Sequence, residues 1–397
     1  MVTKTRRDVR PFAYNSCVRL VWVSLIVAGC GFTPRLTGDA AINGSGDDAH
    51  VFDDAPGGGS GTGARRKAIT IHGPMITGTQ TDFPVWIDLA DPDIAASARA
   101  DGTDIFFTAT NGTPLDYELQ RWNPAAPRLQ AWVRVPTLQH NNDAIIFVEY
   151  GDLAKAKPTN PSGVFSASFA AVWHLDDALT STTVVDSTGA RDGTASGLAP
   201  AAQVPAQLGG GMSFDGQGNA QITFTNPMTG NAAHTISAWV NQTQTTHTSA
   251  VILLGTSANT DQSRFFYGRY GNGATIGVGQ YNDDWTPNPA NDIEGAGWVL
   301  IHWVHEGNNK KNHIYRNGAE IAGSPHNATN SPNTTGTMGI IGNAPSPSYG
   351  SDNGMDGTID ELRVATVIRD ASWIATEYAN QSAPNTFYAV GAEQVAP

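Results

Sequence analysis

Phe83-Pro84-Val85-Trp86-Ile87-Asp88-Leu89 sets Phe83, Val85, Ile87 and Leu89 on one side of an extended chain at a spacing of two. Side chains of a β-strand alternate in direction, so this pattern is that of a strand with one face in a core. Similar short stretches lie on either side: Ala68-Ile69-Thr70-Ile71, then 104–108, 115–122, 130–135 and 144–150. Turn-forming pairs separate them, namely Asp101-Gly102, Asn111-Gly112, Asn123-Pro124 and Asn141-Asn142. Short strands broken by regular turns, with almost no helical periodicity, predict a small β-sandwich over 67–152. After a linker at 153–167, strand-like stretches resume over 168–391, leaving a tail at 392–397. Thr235–Val240 and Trp298–Val304 are apolar on both faces, as expected in the middle of a packed sandwich. Arg316-Asn317-Gly318-Ala319 supplies a hairpin turn. One helix is predicted, at Ala371–Asn380, capped by Asp370, with Ile374 and Tyr378 on one face. It is expected to lie against the second sandwich, before a last strand at Phe387–Val390. The fold class is therefore all-β.

Upstream of the folded region the chain reads as an address. Residues 1–19 are basic and Leu20–Ala28 is apolar, too short for the roughly 20 residues that cross a bilayer. Together they form a signal peptide, 1–29. It ends in Val27-Ala28-Gly29-Cys30, which resembles the bacterial lipobox. That resemblance implies removal of the leader, lipidation of Cys30, and a membrane partner reached through the lipid. By the same resemblance, Gly31 after the cysteine implies the outer membrane or cell surface. Residues 30–66 carry Gly57-Gly58-Gly59-Ser60-Gly61 and scattered aspartates, a composition that cannot bury a core and reads as a tether. Cys17 leaves with the leader, so the folded region has no cysteine for a disulfide or metal.

The net charge is −13, and the leader is basic, so the exported part is more acidic still. Such a surface repels phosphate backbones, which excludes nucleic acid as a partner. Only 15% of residues are charged. The remaining polar surface is built from amides and hydroxyls, which suit neutral glycans.

Two sets of motifs carry family resemblances. Asp104-Ile105-Phe106-Phe107, Gly112-Thr113-Pro114-Leu115-Asp116-Tyr117, Trp132-Val133-Arg134-Val135-Pro136 and Tyr150-Gly151-Asp152 resemble a bacterial domain of unknown function, number 2341. Downstream come Val172-Trp173-His174-Leu175-Asp176, Asp186-Ser187-Thr188-Gly189, Gly211-Met212-Ser213-Phe214-Asp215-Gly216, Thr235–Val240, Gly297–Ile301, Ile314–Gly318 and Gly357–Val364. In that order they resemble the laminin-G-like, concanavalin A-like lectin/glucanase superfamily. The resemblance implies a jelly-roll sandwich, and with it two classes of activity: glycan hydrolysis and glycan binding.

Hydrolysis with retention needs two carboxylates about 5–5.5 Å apart. The glucanases' Glu-x-Asp-x-x-Glu run is absent, and Glu294, Glu306 and Glu320 are isolated. Asp176-Asp177, Asp283-Asp284 and Asp360-Glu361 are adjacent pairs, whose side chains are expected on opposite faces. His302 and His305 are likewise expected on opposite faces, one packed and one exposed. No catalytic residue is assigned. The superfamily often holds a structural calcium partly through an acid on a late strand, which implies Asp360, with Asp176 or Asp177 as partner. For sugar stacking the candidates are Tyr270, Tyr281 and Trp285, the last on a loop that reads as exposed; 324–332 and 345–354 would form a rim. The expected role is a lipid-anchored binding or adhesion module of the cell envelope, recognising glycan or protein without catalysis. The alternatives are a polysaccharide hydrolase or its accessory domain, and a structural envelope component.

Overall fold

The computed structural model describes residues 63–152, 158–166, 168–243, 245–256, 260, 262–271, 275–280, 282–287, 291–345 and 353–397. Cys30 and Tyr281 lie outside the described residues. The chain from Ser60 to Pro397 is one compact unit.

The first strands are β1 (Arg65–Ile71), β2 (Thr79–Ala90), β3 (Phe106–Ala109), β4 (Tyr117–Asn123), β5 (Arg128–Gln139) and β6 (Ala144–Tyr150), with a short helix α1 (Pro92–Ser97) after β2. A one-turn helix, α2 (Pro161–Val164), leads to β7 (Phe169–Trp173), β8 (Thr183–Val184), β9 (Gly193–Ser196), β10 (Gln203–Ala206), β11 (Gly209–Asp215) and β12 (Gln221–Thr225). Then come β13 (His234–Gln242), β14 (Ser249–Gly255), β15 (Ser263–Tyr270), β16 (Thr275–Gln280) and β17 (Trp298–His305). The chain closes with β18 (Lys311–Arg316), β19 (Ala319–Glu320), β20 (His326–Asn327), β21 (Met338–Ile341), β22 (Asp356–Ala365), the helices α3 (Ala371–Ser382) and α4 (Pro384–Phe387), and β23 (Tyr388–Val395).

Four antiparallel sheets stack face to face. The outermost has the order β23-β1-β6-β3 and packs on a sheet β2-β5-β4. Phe83, Val85, Ile87 and Leu89 fill the space between them with Ile69, Ile71, Val133 and Val148, as the spacing of two predicts. Trp86 and Trp132 leave the other side of β2 and β5 and enter a second apolar layer with Val172, Trp239 and Leu300. That layer joins the first sandwich to the nine-stranded sheet β10-β11-β22-β13-β17-β18-β19, on which β7 and β20 also pair. Beyond it lies the seven-stranded sheet β16-β15-β14-β21-β12-β9-β8, with Trp173, Ile236, Val240, Phe266, Trp303 and Leu362 in the core between the two. β2 is thus buried on both faces because it is an internal layer of the stack.

The expected domain boundaries need correction in three places. β23 pairs with β1, from Arg65 opposite Val395 to Ile71 opposite Tyr388, so the end of the chain completes the first sandwich and not the second. The expected tail at 392–397 is largely strand, and Ala396 N–H donates to Ala64 C=O. The expected linker carries α2, capped by Asn160, and Phe165 packs in the apolar layer between the sandwiches. The predicted helix is α3, and Asp370 caps it by accepting from Trp373 N–H at 2.8 Å.

An exposed sheet edge leaves peptide groups without partners. β2 is such an edge. Pro84 has no N–H to lose there. Asn380 of α3 both accepts from Trp86 N–H (2.7 Å) and donates to Trp86 C=O (3.0 Å). The Tyr388 hydroxyl accepts from Asp88 N–H (2.7 Å) and donates to Asp88 C=O (3.0 Å). Side chains from the last residues therefore stand in for a missing strand.

Candidate functional site

The outer face of the nine-stranded sheet, turned toward the first sandwich, concentrates ionisable groups. Its centre is a bulge on β22. Ser237 pairs with Arg363 but Trp239 pairs with Asp360, so β22 carries one extra residue, and Glu361 takes φ +53°. A bulge re-aims side chains. Ile359 and Leu362 point into the jelly-roll core, whereas Asp360, Glu361 and Arg363 all face the first sandwich. The expectation that Asp360 and Glu361 diverge is therefore wrong, because strand alternation fails at the inserted residue.

From Glu361 runs a continuous chain of ion pairs. Glu361 meets His174 Nδ1 at 2.6 Å and Arg363 at 2.8 Å. His174 Nε2 meets Glu118 of β4 at 3.0 Å, and Glu118 accepts from Ser187. Arg363 reaches Glu377 of α3 at 2.8 Å and lies 4.2 Å from the Trp132 ring centre. Glu377 accepts from His302 Nε2 at 2.8 Å and from Gln381, whose carbonyl takes the Trp239 indole N–H. Both ring nitrogens of His174 face carboxylates, which requires two N–H donors and hence an imidazolium. Burial opposes that charge, but Glu361 and Glu118 hold its pKa well above the ordinary value. Glu377 is held down to about 2: burial pushes up, and the His302 hydrogen bond with the His302, Arg363 and Arg369 charges outweighs it. Every member of the chain is covered by the first sandwich or α3. The arrangement joins the two sandwiches through buried ion pairs.

His302 and His305 do take opposite faces, but neither is exposed. α3 covers His302, and His305 turns inward, where Asn312 and Asn231 meet its nitrogens at 2.8 and 2.6 Å. Burial, then the Arg264 charge, push His305 down to about 3, and His234 beside it falls well below the ordinary value for the same reasons.

These shifts fix a pH profile. His234 and His305 stay neutral when folded but take protons near 6.5 when unfolded. Their contribution is complete above 6.5 and is lost as pH falls below it, at up to about 1.4 kcal/mol per unit for each, the His305 share being gone by about 3. Glu377 adds to the loss below about 4.5. His174 acts in the opposite sense: its contribution is complete below 6.5 and fades as pH rises through its raised folded value. Urea midpoints from pH 4 to 9 are expected to peak near neutrality and drop steeply from pH 6.5 downward, and His305→Gln to flatten the acid limb.

Asp360 is fully buried. Its Oδ2 accepts from Leu208 N–H at 2.8 Å and its Oδ1 has no partner among the described residues. Burial first, then the Glu361 charge, raise its pKa well above the carboxylate range. Asp176 stands nearby against Gly210, with its Oδ2 taken by Gln120. Ca²⁺ takes six to eight oxygens. No cluster of three or more His, Cys, Asp or Glu side chains placed to hold a metal occurs among the described residues.

Trp285 is not exposed: 8% of its surface is accessible. Its backbone exchanges two hydrogen bonds with Val278 on the edge strand β16, and its indole stacks on His326 with ring centres 5.3 Å apart. Trp285 thus extends the sheet edge by one bridged residue instead of lying on an exposed loop, and its side chain turns into the core. Trp285→Ala is expected to cost about 3–5 kcal/mol of stability, read as a denaturant midpoint, as for other buried tryptophans. Tyr270 is half-buried and donates to Asp284.

Half of the outer face of the seven-stranded sheet lies on the surface. Register places Thr183, Thr194, Thr223, Ile340, Leu253, Phe265 and Gly279 in one row across seven strands. The row divides. Ile340, Leu253 and Phe265 are buried, with Tyr267 stacked on Phe265 at 6.0 Å. A side chain at Gly279 would come within 2.9 Å of both Phe265 and Tyr267, so glycine gives these rings their room. The β8-β9-β12 half carries Thr183, Thr194, Ser196, Gln221, Thr223 and Thr225, all exposed or half-buried and none charged. Motif reading missed this half because isolated Thr and Ser residues have no signature until register assembles them.

Residues 214–375 match the family model of the concanavalin A-like lectin/glucanases superfamily. They form a concanavalin A-like domain. Residues 101–183 match domain of unknown function 2341, a match that begins just before β3 and runs past α2 into β7 and the start of β8, strands of the nine- and seven-stranded sheets. Among solved structures the chain is similar to domain 4 of an extracellular arabinanase from Geobacillus stearothermophilus, solved with arabinotriose. The identity there is 20%, covering 54% of this chain and 98% of that one, with a TM-score of 0.41. It is also similar to the Trypanosoma rangeli sialidase, at 14% identity, 63% of this chain, 42% of that one and a TM-score of 0.40. The chain thus spans under half of the sialidase. No curated protein matches it.

Proposed function

We propose that the protein is a lipid-anchored, non-catalytic glycan-binding module of the cell envelope, with the polar half of the seven-stranded sheet as its ligand face. The observation that carries this is the division of labour between the two faces of the concanavalin A-like domain. The face rich in carboxylates is spent on holding the first sandwich, so its acids meet His174, Arg363 and His302 instead of a substrate. The opposite face presents neutral hydroxyls and an amide in register, partners for sugar hydroxyls. The superfamily match supports the ligand class, and Cys30 with its preceding small residues supports the anchor.

Incubation of the protein with neutral polysaccharides separates the readings. Retention without release of reducing sugar is expected, and Thr194→Lys with Thr223→Lys is expected to abolish retention while leaving the fold intact. Release of reducing sugar makes the protein a hydrolase. No retention on any neutral glycan leaves a structural role. Mass spectrometry of the exported protein is expected to find acyl groups on Cys30.

A further inference from the structure

We propose a second saccharide site, in a cleft of the first sandwich, that takes the terminal sugar of a neutral glycan. The cleft encloses about 320 Å³, between the free edge of β2 and the terminal strand β23. That volume lies at the small end of ligand pockets, which run from about 300 to 1,000 Å³. Its lining includes His72, Asp88, Leu89, Ala90, Asn385 and Val390.

The alternation of β2 shows why the cleft exists. Outward-facing peptide groups fall at Pro84, Trp86, Asp88 and Ala90, and Asp91 turns back to bond Pro127. Pro84 has no donor, Asn380 satisfies Trp86, and Tyr388 satisfies Asp88. The capping stops there. Ala90 is exposed and lines the cleft, and the pairing of β2 with β5 turns its N–H and C=O outward on that side. Beside it the Asn385 amide and the His72 ring make no hydrogen bond to the described residues.

Charge and shape select the ligand class. Asp88 is neutralised by a two-point pair with Arg128 at 2.9 and 2.7 Å. Asp91 is held by Lys67 at 2.9 and 2.7 Å. The cleft therefore offers no unpaired carboxylate to a metal cation. An extended peptide cannot add to β2, because the two peptide groups before Ala90 are already occupied. What stays free is one peptide donor, one peptide acceptor, an amide and an imidazole, with Leu89 and Val390 as an apolar wall. Adjacent hydroxyls on the apolar face of a sugar ring fit that set. This rests on the glycan-binding reading and adds a site apart from the sheet face.

The test is amide NMR of the full chain titrated with cellobiose, maltose, lactose and α-1,5-arabinobiose. At least one disaccharide is expected to shift Ala90, Asp91 and Ala389 saturably. Asn385→Ala, at an exposed position, is expected to weaken that response by about three- to tenfold, the loss of one neutral hydrogen bond. Val390→Trp is expected to fill the cleft and abolish the response with the melting temperature unchanged. Silence of Ala90 toward all four sugars overturns the proposal, as does a response to Ca²⁺ or a short peptide in their place. Shifts confined to Thr194 and Thr223 overturn the cleft and leave the sheet face standing; shifts confined to Ala90 do the reverse.

Discussion

Removal of Tyr388–Pro397 is expected to unfold the first sandwich, although residues 67–152 contain most of its strands. β1 loses its partner along the whole length of β23 and becomes an exposed edge. The core loses Tyr388, which is 4% exposed, and β2 loses the hydroxyl that satisfies both peptide groups of Asp88. Truncating one buried aromatic costs about 3–5 kcal/mol, a large share of the 5–15 kcal/mol that holds a typical domain. Tyr388→Ala should show that loss alone, and Tyr388→Phe a smaller one of about 1–3 kcal/mol for peptide groups left bare. Hydrogen exchange is the measurement: the truncated chain is expected to lose protection in β1, β2 and β5 while β14 and β15 keep theirs. Protection retained in β1 would show that β23 is dispensable.

Arg363→Met is expected to cost about 3–5 kcal/mol, the penalty for leaving buried charges without their partner. Glu361 and Glu377 both depend on this guanidinium at 2.8 Å, and neither has water to turn to. Methionine restores most of the volume and the contact with Trp132, so the deficit reads charge and not a cavity. Adding Glu361→Gln and Glu377→Gln is expected to recover part of the loss, since neutral amides tolerate burial better. The deficit is also expected to shrink as pH falls below about 4.5, where carboxylates can take up protons. Denaturant midpoints of the single and triple variants at pH 7 and pH 4 check this. A single variant as stable as the parent would mean that the ion chain contributes nothing.

The strands were legible because they rest on local alternation: Phe83, Val85, Ile87 and Leu89 face one core as their spacing demands. The Asp370 cap and α3 were legible for the same reason, each depending on neighbours in sequence. The destination of β23 was not. Tyr388-Ala389-Val390 reads as a strand, but no local pattern says whether it joins a sheet close in sequence or one about 300 residues back. The β22 bulge was hidden too, because Glu361 carries no glycine to mark its positive φ. That single residue reversed the reading of the acidic pair. Trp285 misled through its neighbours: prolines and aspartates read as loop, yet an indole among them packs inward wherever a sandwich end needs closing. The Thr-rich face became visible only through register, which hydrogen bonds between distant strands decide.

The return of the chain end to the first sandwich can be tested by a cross-link. A β-carbon at Gly391 would sit 3.6 Å from that of Ala68, within the about 3.5–4.5 Å that a disulfide spans. In a chain with Cys17→Ser and Cys30→Ser, the pair Ala68→Cys and Gly391→Cys is expected to oxidise in air, so that fragments from the two ends of the chain stay joined after proteolysis until a reductant is added. Two free, alkylatable thiols in the folded protein would contradict it.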